Sequence, residues 1–331
     1  MRITNQSLYI PFETNLEGIQ DRRFKEDLRI SSGKQIVALA DNPQNLSIIK
    51  MLTSQIDQTT QFKSNVEDSL GELYVASEQL GVLGDKIQNI REVNIDALNI
   101  SNHSALSSIA QHVKGLIDDL IKAANLDFNG HFLFSGTKST PNTLDKNGVF
   151  QNDMPFEIFQ GTATATNPSG LQVTFKGNFK DREIQKDKQT TEVINVKADQ
   201  IFGKDGKEAL ETLVELYNIL EFNPKGEVRI TTSPLSKEEF GKINTLQKRL
   251  GEFYDNITSV SAQFGSKINR FESIRDQMQN ELTNLEAMRS TKNDTDVAKA
   301  TINLRKEELA LQYSLQVGAR LLQNSLFDFL K

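Results

Sequence analysis

The chain has 331 residues, no cysteine, no tryptophan and a formal net charge of −6, and 37% of its residues are hydrophobic. That length allows two or three domains, and the thin apolar content fits elongated helical assemblies better than compact enzymes. Disulfides, thiol catalysis and thiolate-bound zinc are excluded, the acidic balance offers no footing for nucleic acid, and no stretch approaches the roughly 18 apolar residues of a membrane span.

At the N-terminus, Met1 to Phe12 lacks the basic-then-apolar pattern of a secretory signal. Residues 1–45 start polar and become amphipathic, with Leu16, Ile19, Phe24, Leu28 and Ile30 as the apolar positions and six acidic against six basic residues. A short, charge-studded helix of this kind folds marginally alone and is suited to docking. Ser31-Ser32-Gly33 predicts a helix stop, and Asp41-Asn42-Pro43 a turn with Pro43 close to the first position of a new helix. From Gln44 to about Ile100 the pattern predicts one long helix. Ile49, Leu52, Ile56, Val66, Leu70, Leu73, Leu80 and Ile87 share a heptad register, weakened at Thr59, Lys63, Ser77 and Gly84. About 55 residues at ~1.5 Å rise make a rod of roughly 80 Å. Ser101-Asn102-His103-Ser104 reads as a polar break. A further helix carries Leu106, Ile109, Val113, Leu116 and Leu120 on one face and ends near Asn125. Asn129-Gly130 is a strong turn signal.

The middle, about 130–235, changes character. Gly136, Pro141, Asn147-Gly148, Gly161, Pro168, Gly170 and Gly177 punctuate it. Short strands are predicted at Phe132–Phe134, Phe156–Phe159, Leu171–Phe175 and Thr190–Val196. A helix is predicted over Lys207–Glu221, ended by Asn223-Pro224, and one more strand over Val228–Ile230.

Ser236 with Glu239 three residues on predicts a capping box opening a second long helix. Its seam runs through Ile257, Val260, Phe264, Phe271, Ile274, Met278, Leu285 and Met288, broken at Lys267 and Glu281. So narrow a stripe needs partner helices. Lys292 to Asp296 reads either as a polar turn of one continuous helix or as a break. Val297, Leu304, Leu311, Leu315 and Leu322 form a last seam. The end, Ser325-Leu326-Phe327-Asp328-Phe329-Leu330-Lys331, is too apolar for a free terminus and predicts burial in a neighbour. Both ends carry seams without local partners, so the two ends are expected to pack together.

Catalytic chemistry finds no footing in the motifs. His103, His112 and His131 make no H-E-x-x-H pattern, and the nine-residue spacing of the first two does not stack them on a helix. Gly33-Lys34 lacks the preceding glycine of a phosphate loop and reads as a turn. Asp294 and Asp296 lack the glycine and distal glutamate of a calcium loop, and Asp118-Asp119 reads as a solvated pair. No enzyme activity, metal or cofactor is expected.

Several stretches resemble the flagellin superfamily. Leu28-Arg29-Ile30-Ser31-Ser32-Gly33-Lys34-Gln35-Ile36 is similar to its R-L-S-S-G-x-x-I stretch. At the expected distance, Ala40-Asp41-Asn42-Pro43-Gln44-Asn45-Leu46-Ser47-Ile48 resembles A-x-D-D-x-A-G-L-x-I. There Asn42-Pro43 stands where flagellins commonly carry an acid and a small residue, a form more typical of the hook-associated branch. Phe132-Leu133-Phe134-Ser135-Gly136-Thr137-Lys138, Val196 to Gly203, and the tail from Leu326 to Leu330 also resemble that branch, and Phe264 to Arg270 resembles G-A-x-x-N-R.

The resemblance implies a mainly α fold: an elongated flagellin-like rod of long antiparallel coiled-coil helices from both chain ends, with a small β-rich inserted domain. It implies an axial domain at 1–42 and 294–331, a helical rod domain at 43–139 and 234–293, and an outer insert at 140–233. It implies an extracellular structural subunit at the hook–filament junction, exported by the flagellar type III exporter without a cleaved signal. The implied partners are hook-associated protein 1 on the hook side, flagellin on the filament side, further copies in a ring, and an export chaperone at the C-terminal helix, with no nucleic acid or membrane. Filament-forming flagellin, or an exported coiled-coil effector or adhesin, are the alternatives. The expected assembly contacts are Leu16, Ile19, Phe24, Leu28 and Ile30 at one end, and Leu311, Leu315, Leu322, Leu326, Phe327 and Phe329 at the other. Their folding is expected to be coupled to assembly.

Overall fold

The computed structural model describes residues 5–38, 42–99, 105–138, 142–144, 150–152, 154–229 and 234–329. The predicted break at 101–104 with His103, the turn signals Pro141 and Asn147-Gly148, and residues Ala40, Asp41, Ile230, Leu330 and Lys331 lie outside the described residues. Backbone contacts divide the chain into two compact units, 1–61 with 278–331, and 62–277.

The first unit joins the chain ends. Helix α1 (Asn5–Ser32) packs on α7 (Val297–Phe329). The pair is antiparallel, because Phe12 meets Gly318, Arg22 meets Glu307, and Lys34 bridges Asp294. Helix α1 stops as Ser31-Ser32-Gly33 predicts. Gly33 takes φ +67°, and the Ser32 hydroxyl donates to Leu28 O at 2.6 Å. The unit also contains the start of α2 (Pro43–Leu98) and the end of α6 (Lys237–Asn293). Leu52, Ile56 and Leu282 are buried there. The 292–296 stretch is a break: α6 ends at Asn293, and the Asp296 carboxylate accepts from Lys299 N at 3.0 Å as the cap of α7.

The second unit is built on the remainder of α2 and α6. These run antiparallel, with Gly84 against Ile257 and Asn94 against Gln247. The α2 register holds, since Val66, Leu70, Leu73, Leu80, Ile87 and Ile90 are all buried. In α6, Ile243, Leu246, Leu250, Phe253, Ile257, Val260 and Phe264 follow the three–four alternation and are buried. At Lys267 the stripe moves over by one, so Ile268 is the buried residue before Phe271. The capping box forms: Glu239 N donates to Ser236 Oγ at 3.2 Å and Ser236 N to Glu239 Oε2 at 2.7 Å.

Helix α3 (Leu106–Ala124) packs on α5 (Glu208–Glu221). Between them the chain forms four two-stranded antiparallel sheets among the described residues. These pair β1 (Asp127–Phe128) with β2 (His131–Phe132), and β3 (Asn142–Leu144) with β4 (Phe150–Asn152). The others pair β5 (Phe156–Gln160) with β6 (Leu171–Phe175), and β7 (Glu183–Gln185) with β8 (Thr191–Val193). Asn129-Gly130 makes the β1–β2 turn with φ of 52° and 77°, the left-handed pair such a hairpin needs. Phe156 is the centre of the aromatic core, 4.9 Å from the Phe175 ring and 5.0 Å from Phe202 of α4 (Ala198–Phe202). The Asn125 side chain extends this sheet's hydrogen bonding: its Nδ2 donates to Phe156 O at 2.7 Å, and its Oδ1 accepts from Phe156 N at 2.9 Å.

Three predicted strands come out shorter. After Phe132 the chain turns, so Leu133 and Phe134 fill the core from a turn rather than a strand. The strand at 190–196 reduces to Thr191–Val193. In Val228–Arg229, the described part of the strand expected at 228–230, Val228 forms an isolated bridge with Phe222 and the Arg229 side chain turns inward.

Candidate assembly surface

On α1, Leu16, Ile19 and Ile30 are half-buried on the side that faces α7; Leu28 is half-buried on another face, and Phe24 is 62% exposed. On α7, Leu311 is half-buried and Leu315 is 53% exposed. Leu322, Leu326, Phe327 and Phe329 lie on the last turns of α7, and their side chains lie outside the described residues. The structure thus turns Leu16, Ile19, Ile30 and Leu311 toward the α1–α7 seam, places Leu28 off it, and leaves Phe24 and Leu315 open to solvent.

Polar contacts fix the pairing. Arg22 Nε donates to Glu307 Oε1 at 3.2 Å across the pair; within α1, Arg29 Nη1 donates to the buried Glu26 at 2.8 Å. At the near end, Gln35 N donates to Asn293 O at 2.6 Å and Thr295 N to Gly33 O at 2.9 Å. At the far end, Gly318 is buried and brings α7 close to α1; a Cβ there would stand 2.5 Å from Phe12 Cζ. Sequence reading missed Ile302, Leu309, Tyr313 and Val317, which are 51–69% exposed. A single heptad stripe accounts for one face of a helix, and these four lie on another.

In the second unit, polar side chains clamp the loops to the helices. Arg229, 4% exposed, donates to Glu239 and to the carbonyls of Ile219, Phe222 and Pro234. The β7–β8 hairpin lies over both long helices: Arg182 pairs with Glu72 and Asn65 donates to Gln185 O on α2, while Arg270 pairs with Glu192 and Lys267 donates to Val193 O on α6. Burial pushes the Lys267 ammonium below the usual lysine range, with Glu192 opposing that shift.

Among the described residues no three His, Asp or Glu gather as a metal site, and no helix is long and apolar enough to cross a membrane. A groove of ≈510 Å³ holds His131 near Asp68 and Glu72, but it is open and the Arg182 guanidinium already engages Glu72. On the α1–α7 pair, Phe24, Ile302, Leu309, Tyr313, Leu315 and Val317 are large apolar residues left exposed.

The family description of the bacterial flagellin N-terminal helical region matches residues 3–139, and that of the C-terminal helical region matches residues 248–330. Together the two span about two thirds of the sequence, with α1 and α7 at their outer ends. The chain belongs to the flagellin superfamily. Like the members of that superfamily, it is a structural protein rather than an enzyme.

Flagellin 1 of Proteus mirabilis is 28% identical over 139 residues, 41% of this chain and 38% of that protein. Polar flagellin F of Vibrio parahaemolyticus is 25% identical over 88% of this flagellin-superfamily chain and 89% of its own length. The fold is shared with a flagellar hook-associated protein from Vibrio parahaemolyticus, at a TM-score of 0.61 and 17% identity over 77% of this chain and all of that one. It is shared too with hook-associated protein 3 of Legionella pneumophila, at 0.53 and 15% over 73% and 97%. The same holds for FlgL of Xanthomonas campestris, at 0.54 and 14% over 73% and 99%.

Proposed function

We propose that the chain is a structural subunit of the junction between hook and filament in a bacterial flagellum, the role of a hook-associated protein 3. The observation that carries this reading is the antiparallel α1–α7 pair, which joins the chain ends and still exposes Phe24, Ile302, Leu309, Tyr313, Leu315 and Val317. A monomer gains nothing from that exposure, whereas a subunit buries it against neighbours. Fold similarity to hook-associated proteins from three organisms supports the junction over the filament.

In this role residues 1–42 and 294–331 form an axial domain, 43–139 and 234–293 a rod domain, and 140–233 an outward insert. Leu16, Ile19, Phe24, Leu28 and Ile30, with Leu311, Leu315, Leu322, Leu326, Phe327 and Phe329, make the assembly contacts. Hook-associated protein 1 seats the subunit on the hook side, further copies complete a ring, and flagellin grows from the other side. A chaperone holds the C-terminal helix until the type III exporter takes the chain out of the cell.

The second reading is a filament-forming flagellin, favoured by the full-length similarity to polar flagellin F. A seeding experiment separates the two. Purified chain is added to short filament seeds and to hook ends bearing hook-associated protein 1, and growth is followed by electron microscopy and light scattering. Binding to hook ends, support of later flagellin growth and no long filaments of its own are expected. Long filaments from this chain alone would replace the junction reading with the flagellin one.

A further inference from the structure

The two long helices of the second unit share a fault. In α6 the heptad stripe fails at Lys267, which is half-buried, and Ile268 takes the buried place. On α2 the weakened seam position Ser77 lies between Tyr74, which bonds Glu272 of α6, and Gly84, which meets Ile257. Polar seam residues on both helices thus fall between the same two contacts, where apolar pairs would otherwise close the interface.

The β7–β8 hairpin reaches α6 at this fault, where Lys267 Nζ donates to Val193 O at 2.8 Å. It reaches α2 at Asn65, which donates to Gln185 O at 3.1 Å, and at Glu72, which pairs with Arg182. No residue of β7 or β8 is fully buried, and a two-stranded hairpin is marginal by itself. What holds it on α6 is charge, gathered on one carboxylate. Glu192 Oε2 accepts from Lys186 Nζ at 2.9 Å, and the Arg270 guanidinium pairs with the same oxygen. The Lys267 ammonium is stabilised by that carboxylate too. Asp181 also acts on Lys267, but it is shared with Lys197 Nζ at 3.2 Å. The Glu192 side chain is 16% exposed, so water and salt screen it less than they would a surface pair. The tip is self-sufficient: the Asp187 carboxylate accepts from Gln189 N and Thr190 N, both at 2.8 Å. The hairpin can therefore lift off without losing its own turn.

We propose that the β7–β8 hairpin braces the α2–α6 pair at the Lys267 fault and that Glu192 is its clasp. One carboxylate balances Lys186, Lys267 and Arg270. Neutralising it leaves three cations facing one another with no shared partner, and the hairpin is the only one of the packed pieces light enough to move away. Its release then uncovers the fault, so α2 and α6 loosen at that level while the Asn94–Gln247 end stays paired. This gives part of the β-rich middle of the chain a structural task on the long helices, independent of any role at a hook.

The test is hydrogen exchange resolved by peptide on the full-length chain. In Glu192→Gln, amides of 182–194 should exchange about tenfold or more faster than in wild type. Amides of α2 and α6 around Ser77 and Lys267 should exchange about threefold or more faster, and those around Asn94 and Gln247 should not change. Glu183→Gln removes the same charge from the hairpin outside the clasp and is expected to behave like wild type. Adding Lys267→Met to Glu192→Gln fills the fault with an apolar side chain. That double variant should keep the hairpin open and restore protection to the helices. Rising potassium chloride on the wild-type chain gives a check without substitution: protection of the hairpin should fall before that of the helices.

The clasp is overturned if Glu192→Gln exchanges like wild type, if Glu183→Gln opens the hairpin equally, or if salt loosens the helices first. The brace is overturned if the hairpin opens while the helices around Lys267 stay as protected as before, or if they stay loose in the double variant. Uniform loss of protection across 62–277 in Glu192→Gln would overturn both, because the effect would then be global rather than seated at the fault.

Discussion

Arg229 shows how a single side chain can hold a loop that has no sheet to join. Its guanidinium collects the free carbonyls at the end of α5 and the Glu239 carboxylate that caps α6. Removing one member strands the other's charge in the interior, so Arg229→Ala should cost about 3–5 kcal/mol. Replacing both, as Arg229→Met with Glu239→Leu, should cost less than that. Denaturant melts followed by circular dichroism read both. Gly318 makes a second case. Glycine inside a helix costs roughly 1 kcal/mol relative to alanine, yet here a Cβ would press on the Phe12 ring. Gly318→Ala is therefore expected to return little of that propensity gain, and Gly318→Leu to separate the helices. Faster hydrogen exchange along α1 in the leucine variant would report the separation.

At the scale of elements, the β7–β8 hairpin is held to α2 and α6 by charges and hydrogen bonds more than by apolar burial. Lys267 occupies a seam position and gives its ammonium to Val193 O while lying over the Phe264 ring. Its proton affinity is lower in the fold than in the unfolded chain. Between those two values the unfolded chain binds the extra proton, so stability rises with pH there. Wild type should gain on Lys267→Met as the pH climbs from neutral toward about 10, the ordinary lysine range. Matched melts across that range give the sign, and a constant gap would count against it.

The same lysine marks the limit of what the sequence makes legible. The long helices, the capping box at Ser236, the stop at Gly33 and the hairpin at Asn129-Gly130 each rest on local chemistry, and the fold keeps them. The break at Lys267 also reads from the sequence. That the seam resumes at Ile268, and that the lysine reaches a hairpin some seventy residues earlier, are tertiary facts. The insert's pairings depend on single side chains such as Asn125 and Arg229, which carry no periodicity. On the terminal helices, the heptad pattern picks out the face that packs in the monomer and passes over the one on α7 that stays open.

For the molecule as a whole, the compact unit at 62–277 buries its own aromatic and helical core, whereas the terminal pair keeps apolar area exposed. Deleting residues 294–331 should therefore abolish incorporation while a chain of 43–293 still unfolds cooperatively. Incorporation assays on hook ends and thermal melts of the two proteins test both halves of that statement. Retained assembly by the shortened chain would show that the contacts lie elsewhere.

The backbone stitch between Gly33–Gln35 and Asn293–Thr295 ties together the two places where the long helices give way to the terminal ones. It works as a yoke. Neither arm can swing at its own joint without breaking hydrogen bonds to the other, so α1 and α7 change direction as one body. The joint thus holds the two arms in fixed relation within one chain.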